Sequence, residues 1–395
     1  LMHGGLILFR GTGTDARRYV EADRSRADDY YLGADTSAAQ FTALDGDGNV
    51  TVALGLAPEA YAGWVDWINP LTEESMGKPR LPGDGRQGSP RFAEMVVNAP
   101  KSLSIAAALH PEVSDALDRA QQDAVAEIQC WLAQHSVTRV GPRGKQEVVP
   151  VEQLQTMAVS HRTSRAGDPH RHIHFQIGTR VWAAGKWRAL DTAALFTQQG
   201  AIRALGTAVI AAHPELSEVL DRHGLTLDPV SGEVIELERF NGVMSKRGEQ
   251  VRRHLERLEA EWEAAHPGET VGPVVATRLR AEAWAYERPA KKPSTLRDEQ
   301  AWVTELREAG YDPGTLRRPV RRAPASLDDL SVQTVANRAL DRCAAGSSAW
   351  TRHTVQEHVT RIMTEYGVQA APAEIREFVQ IATALAMEDC FSILP

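Results

Sequence analysis

Four histidines lie within 14 residues of the chain, and their spacing suits a metal ion. His172 and His174 are two residues apart, so on a β-strand their side chains share one face, with Cα atoms roughly 6–7 Å apart. His161 lies on the preceding run and could supply a third imidazole. Three nitrogen ligands at about 2.1 Å leave a position open on the ion, which suits catalysis better than structural support. The spacing therefore predicts a metal site at His172 and His174, with His161 as a candidate third ligand and His170 in the adjoining loop.

Two runs with strand-like alternation carry these histidines. The loop between them contains Ala-Gly-Asp-Pro at 166–169, which is typical of a turn and predicts an antiparallel hairpin. A single histidine on such a strand is more often a hydrogen-bonded core residue. A cluster of four with a clean polar face favours metal binding instead. The opposite face of the second run is apolar and consists of Ile173, Phe175 and Ile177.

Side chains that could serve such a metal site occur earlier in the chain. Three of the seven tyrosines, Tyr19, Tyr30 and Tyr31, lie within 13 residues. Each alone could simply pack with its ring buried and its hydroxyl in water, but beside a metal ion a phenol becomes a candidate nucleophile. Glu94 lies in the apolar run 92–98, where a carboxylate is rarely buried without a partner.

Composition limits the classes of function. The 395 residues are 43% hydrophobic and 24% charged, as in ordinary globular proteins. The net charge of −8 and pI near 5.9 exclude an indiscriminate binder of polyanions, so any contact with nucleic acid requires local basic surfaces. No run is long enough for a membrane span, and no secretory signal opens the chain. Three widely spaced cysteines indicate a reducing compartment, and we expect a cytoplasmic protein.

The elements that must position these side chains alternate between strands and helices. Period-two runs with turn signals predict strand pairs at 41–55, 137–151 and 182–191, and helical periodicity predicts helices at 58–68 and 111–135. Antiparallel pairs with long helices between them predict an α+β fold rather than a doubly wound parallel sheet. From residue 245 onward the chain is mainly helical. No phosphate-binding loop of the G-x-x-x-x-G-K-[ST] type is present in the sequence.

Three motifs occur in a fixed order: the early tyrosines, Ala-Pro-Lys-Ser at 99–102, and the pattern H…D-P-x-x-H-U-H (U apolar) from His161 to His174. In this order they resemble the TrwC/TraI-like conjugative relaxases, the MobF class of the HUH endonuclease superfamily. The resemblance covers about residues 4–300. It implies a central antiparallel sheet of about five strands flanked by helices, with nicking of one DNA strand at an origin of transfer.

The resemblance also implies a division of the chain. Residues 1–240 would form the catalytic relaxase domain, and 241–300 would form helical "fingers" that bind DNA. Residues 301–395 would form a helical extension toward a helicase-like module that relatives usually carry. The expected partners are single-stranded origin DNA, with a DNA hairpin where the origin forms one, together with other relaxosome proteins and a coupling protein; no membrane is expected.

Site residues follow from the motif positions. By this resemblance, His161, His172 and His174 match the family's metal triad. Tyr19 matches its first nucleophilic tyrosine, Tyr30 and Tyr31 match its later tyrosine pair, and Glu94 occupies the position of its acid. The family's first tyrosine pair is Tyr19-Val20 here, and its acid is Asp rather than Glu. Glu94 could therefore act as a base, as an orienter of a histidine, or as both.

A chain with a negative net charge can bind DNA if basic residues collect in a local groove. The candidate DNA-binding residues are Lys101, Arg162, Arg165, Arg171, Lys246 and Arg247. The competing interpretation for the helix from 245 is a solvated surface with ion pairs, since Glu249 precedes Arg253 by four residues. The expected cofactor is a divalent ion: Mg or Mn suits phosphoryl chemistry, whereas three imidazoles also suit Zn or Ni.

Two other functions remain open at this point. A replication initiator or transposase of the same superfamily would use the same chemistry. A three-histidine metalloenzyme acting on a small molecule would have no use for the tyrosines, so a Tyr19→Phe variant would leave it active.

Overall fold

The protein is represented by a computed structural model that describes residues 4–23, 39–164, 167–285, 296–315 and 323–391. Within these residues the chain forms ten strands. They are β1 (Ile7–Phe9), β2 (Ala39–Asp45), β3 (Val50–Leu56), β4 (Phe92–Asn98), β5 (Val137–Val140), β6 (Glu147–Pro150), β7 (Gln153–Thr163), β8 (Pro169–Gly178), β9 (Arg180–Ala183) and β10 (Lys186–Ala189).

Eight of these strands form one antiparallel sheet with the order β1-β4-β8-β7-β2-β3. Strand β9 joins β7 at one pair of residues and carries β10 along its other edge, while β5 and β6 form a separate hairpin. The predicted α+β fold with a central antiparallel sheet is confirmed. The sheet is larger than the predicted five strands because β1 and the β9–β10 hairpin extend it. The two histidine strands, β7 and β8, pair with each other and lie in its interior, where both are fixed by neighbours.

The helices occupy both faces of the sheet and the C-terminal part of the chain. They are α1 (Gly13–Asp23), α2 (Pro58–Val65), α3 (Lys101–Leu109), α4 (Pro111–His135), α5 (Thr192–Thr197), α6 (Gln199–Ala211), α7 (Pro214–Arg222), α8 (Lys246–Ala265), α9 (Pro273–Ala285), α10 (Leu296–Glu308), α11 (Val332–Gly346), α12 (Arg352–Glu365) and α13 (Pro372–Glu388). The predicted helix at 111–135 has the bounds of α4, which starts with a proline at its first position, where the missing N–H costs nothing. Among the described helices, none is long and apolar enough to span a membrane.

The two faces of β8 bury different kinds of side chain, as its alternation predicts. Ile173, Phe175 and Ile177 pack into a large apolar core with α3, α4 and α6. The histidine face belongs to a smaller cluster under α1 and α2, which contains Phe41, Tyr61, Trp64, Phe92, Met157 and Val159. Burial of the sheet on both faces holds its strands in register, because a slip of one residue would exchange the two faces.

The C-terminal helices pack on the helical layer of the sheet. Helix α12 lies against α6, and the apolar residues that it buries belong to the same core as α4. Arg376 of α13 pairs with Glu127 of α4 at 2.5 Å, and the backbone N–H of Ala370 donates to the Ala212 carbonyl at 3.1 Å. The domain boundaries at 240 and 300 and the roles attached to them stay predictions.

Candidate active site

Three histidine rings meet on one face of the sheet. His161 and His172 are opposite each other across β7 and β8, and His174 lies two residues along β8. Every pair of ring centroids among the three is 5.2 Å apart. All three side chains are buried. The hairpin thus brings together the three imidazoles that the sequence predicts as a triad.

Contacts at Nδ1 set the tautomers of the two β8 histidines. His172 Nδ1 lies 2.9 Å from the carbonyl oxygen of His170, and His174 Nδ1 lies 3.1 Å from Glu94 Oε1. Because a carbonyl and a carboxylate oxygen only accept hydrogen bonds, Nδ1 carries the hydrogen in both rings. In each neutral ring, Nε2 is then the nitrogen with the lone pair that a metal ion needs.

Tyr19 approaches the triad from α1. Its hydroxyl donates to Glu94 Oε1 at 3.0 Å, and its ring meets the ring of His174 edge-on with centroids 5.5 Å apart. Glu94 lies on β4, which pairs with β8, so its carboxylate comes up beside the histidines. One carboxylate oxygen therefore serves both the candidate nucleophile and a histidine of the triad.

The second carboxylate oxygen of Glu94 accepts a hydrogen bond from a buried glutamine. Gln176 Nε2 donates to Glu94 Oε2 at 3.0 Å, and Gln176 Oε1 accepts from the hydroxyl of Tyr61 at 2.8 Å. Burial alone would raise the pKa of Glu94, which is only 1% exposed, but the contacts with His174, Gln176 and Tyr19 outweigh it and hold the pKa below its ordinary value. Burial raises the pKa of Tyr61, so this phenol keeps its proton.

A cavity of about 60 Å³ opens beside His161 and His172. Asp118, Gln121 and Gln122 of α4 line another part of it. Two of the three histidines, His161 and His172, therefore border space that is not filled by protein, while His174 does not line this cavity.

Each of the predicted DNA-binding residues in the described part contacts the protein itself. Arg162 and Arg171 both pair with Asp118 at 2.6 Å, and Arg171 is buried. Arg247 donates to the Trp284 carbonyl at 3.0 Å, while Lys101 and Lys246 hold the histidine hairpin. Their contact with DNA stays a prediction. Tyr30, Tyr31 and Arg165 lie outside the described residues.

Comparisons with known proteins decide among the alternatives. A family model described as TrwC relaxase matches residues 13–309, about three quarters of the chain. The chain belongs to the TrwC relaxase family. Its activity is that of a conjugative DNA relaxase, an enzyme that nicks DNA by transesterification. The predicted family resemblance is thereby confirmed. No protein of curated function matches the sequence.

Solved structures similar to this TrwC-family relaxase agree in fold. A metal-bound conjugative relaxase TrwC in complex with oriT DNA superposes with a TM-score of 0.54 at 22% identity, covering 79% of this chain and 100% of that one. TrwC in complex with a mutant oriT DNA gives a TM-score of 0.55 at 21% identity, with the same coverage. At these identities the likeness establishes the fold.

The triad of this TrwC-family relaxase fits a metal ion in spacing. Three imidazoles bound tetrahedrally at about 2.1 Å have ring centroids about 5 Å apart, and the observed separations are 5.2 Å. As the side chains stand, no group of three or more His, Cys, Asp or Glu in the described ranges meets the geometry of a metal site. The three rings therefore have the separation that a metal site needs but not the orientation, and they must turn before all three can bind one ion.

Sequence reasoning missed the layer behind Glu94. The ring of Tyr61 packs in the apolar cluster under α2 beside Trp64, as its place in the predicted helix at 58–68 would suggest. A buried tyrosine hydroxyl needs a partner, and this requirement was the available signal. Its partner, Gln176, lies 115 residues away, so the sequence alone gave no means to pair them.

Proposed function

We propose that Tyr19 is the nucleophile of this relaxase and that it cuts one strand at a plasmid origin of transfer. Its oxygen forms a bond to the scissile phosphorus as the bond from phosphorus to the 3′ oxygen breaks, and the phosphate keeps its bond to the 5′ oxygen of the next nucleotide. The phenol loses one proton and the departing 3′ oxygen gains one, so the products are a 5′-phosphotyrosyl link and a 3′-hydroxyl. The observation that carries the proposal is the 3.0 Å contact between Tyr19 Oη and Glu94 Oε1 beside the ring of His174. Storing the bond energy in a phosphotyrosyl link allows the strand to be rejoined later.

Glu94 has two tasks in this proposal. A phenol has an ordinary pKa of about 10, so at neutral pH it must lose its proton as it attacks. The ionised carboxylate of Glu94 accepts that proton, and because it is a weak base the transfer accompanies formation of the oxygen–phosphorus bond. The same oxygen holds Nδ1–H of His174, which leaves Nε2 as the nitrogen with the lone pair that an ion needs.

His161, His172 and His174 would hold a divalent cation in this proposal. When bound, the ion would supply positive charge to the non-bridging oxygens of the scissile phosphate. We expect Mg or Mn in function, while Zn or Ni could also bind these imidazoles. The solved TrwC structures include a metal-bound and a copper-bound form, which supports cation binding by this chain.

The remaining roles rest on family membership. Tyr30 or Tyr31 would attack a second phosphate and end transfer without water. The substrate would be single-stranded DNA with a recognition hairpin, since solved TrwC structures hold oriT DNA and one holds a 27-mer with a recognition hairpin and the cleavage site. Residues 241–300 would bind this DNA as fingers, the partners would be relaxosome proteins, and the location would be cytoplasmic.

The test is a search for a covalent DNA–tyrosine adduct. The purified protein is incubated with single-stranded origin candidates and Mg or Mn, and the products are separated on denaturing gels. Peptide mapping should place the adduct on Tyr19, and Tyr19→Phe should abolish it. Tyr366→Phe is the matched control, because Tyr366 is partly exposed at the end of α12 and contacts Arg338. Nicking by Tyr19→Phe at the wild-type rate would refute the assignment.

A further inference from the structure

Three consecutive residues at the tip of the histidine hairpin are held by three different helices. The carbonyl of Gly167 accepts from Trp302 Nε1 of α10 at 2.9 Å. Asp168 Oδ2 accepts from the backbone N–H of Lys246, the first residue of α8, at 2.8 Å. The carbonyl of Pro169 accepts from Lys101 Nζ, at the start of α3, at 2.8 Å. We name residues 167–169 the hairpin anchor.

Asp168 caps a helix that lacks a cap of its own. The residue before α8, Ser245, makes no capping hydrogen bond with its side chain. The carboxylate of Asp168, 78 residues away in sequence, takes over that task and places negative charge at the positive end of the helix. Its other oxygen lies 3.4 Å from Lys246 Nζ, which also binds Glu305 of α10.

The one charged residue of the anchor, Asp168, has two cationic neighbours outside it. Asp168 is 1% exposed, and burial raises its pKa, while Lys101 and Lys246 act in the opposite direction. Burial lowers the pKa of Lys101 to about 8, against the pull of Asp168 and Glu233. A carboxylate buried between two ammonium groups loses much if one partner is removed. The anchor therefore depends on α3, α8 and α10 lying in place together.

The hairpin anchor includes the first residue of β8, the strand that carries His172 and His174. Strand β8 begins at Pro169, and His172 and His174 lie three and five residues further on. A displacement of the start of β8 would move these rings relative to Tyr19, which lies on α1 outside the sheet. A misplacement of about 1 Å at a reaction centre can lower a rate about a hundredfold.

We infer that Asp168 is a positioning residue that couples helix α8 to the histidine strand, so that the placement of α8 sets the placement of His172 and His174. This inference deepens the proposed function and rests on it only for its effect on nicking. On this inference, the Asp-Pro pair of the hairpin motif transmits the position of the helices after residue 245 to the metal-binding strand.

The test is amide hydrogen exchange on the full chain without DNA or metal. In Asp168→Ala, exchange should rise roughly fivefold or more at 246–249, where the cap is lost, and also at 170–174. Asp168→Asn keeps an oxygen for the Lys246 N–H and should recover most of the protection. The control is Asp228→Ala, since Asp228 caps only its own loop through Val230 and Ser231.

Exchange that rises at 246–249 alone would overturn the inference, because Asp168 would then be a local cap. If Asp168→Ala does not fold, Trp302→Phe removes a single donor to the anchor and should raise exchange at 170–174 by a smaller factor. Single-turnover nicking at saturating DNA is the second measurement, and the rate of Asp168→Ala should fall at least tenfold. A wild-type protein that does not nick would refute the proposed function, while the exchange pattern still decides the coupling.

Discussion

The hydroxyl of Tyr19 and the Nδ1–H of His174 share one oxygen of Glu94, at 3.0 and 3.1 Å. The candidate nucleophile and the metal-binding strand are thus hydrogen-bonded to the same atom, Glu94 Oε1. A carboxylate oxygen has two lone pairs, so both hydrogen bonds can be made at the same time. The longer side chain of Glu94, where the family pattern has Asp, is held in this position by Gln176.

Replacing Glu94 tests this shared oxygen. Glu94→Gln keeps the size of the side chain but removes its charge, so it can no longer take the proton of Tyr19. We expect the single-turnover rate of nicking to fall about 10²- to 10⁴-fold, the range for loss of a general base. Glu94→Asp should fall less, because the shorter acid keeps the charge but reaches only some of its partners.

The control for Glu94 is an exposed acid away from the site, and Glu74→Gln serves this purpose. Affinity for single-stranded DNA should stay unchanged in all three variants, since none of them removes a cationic side chain. A Glu94→Gln variant that nicks at the wild-type rate would show that the carboxylate takes no proton.

The histidine site was predictable because its geometry is local. Alternation along a strand places His172 and His174 on one face whatever the rest of the protein does, and the antiparallel pairing of β7 with β8 places His161 beside them. The helix α4 and the antiparallel sheet follow from periodicity in the same way. These features depend on residues within one or two elements.

The contacts between distant elements were not predictable. Asp118 of α4 pairs with Arg162 and Arg171, so these two candidate DNA contacts also make ion pairs within the protein. The sequence shows three charged residues but not which of them meet in space. The hydrogen bond of Tyr61 to Gln176 belongs to the same class of long-range contact.

Removing the hydroxyl of Tyr61 should destabilise the protein more than it slows the chemistry. Tyr61→Phe leaves Gln176 Oε1 buried without its donor, which costs about 1–3 kcal/mol in the free energy of unfolding. Nicking should slow only severalfold, because Gln176 still reaches Glu94. Chemical denaturation gives the first quantity, and Tyr366→Phe on the surface gives the baseline. A stability change no larger than that of Tyr366→Phe would contradict the buried contact.

Acid should destabilise the protein through His110, at the junction of α3 and α4. Burial and the stacked ring of His223, 4.0 Å away, lower the pKa of His110 to about 4, against the pull of Glu112. Between pH 6.5 and 4 the unfolded chain binds a proton that the folded chain does not, so this group's contribution to stability falls as the pH falls. His110→Phe keeps an aromatic ring but cannot titrate. Its unfolding free energy should fall less than that of the wild type across this pH window, and equal slopes would contradict the assignment.

The C-terminal helices should unfold together with the catalytic sheet. Met363 of α12 is fully buried in the same apolar core as α4 and α6, so Met363→Ala should cost roughly 2–5 kcal/mol. Ile381→Ala, on the exposed side of α13 at 50% exposure, should cost little. If residues 323–391 are integral to the fold, Met363→Ala lowers the midpoint of one cooperative transition, monitored by circular dichroism and by loss of DNA nicking at the same temperature. A separate extension would instead give two transitions, with the variant moving only the one that leaves nicking intact.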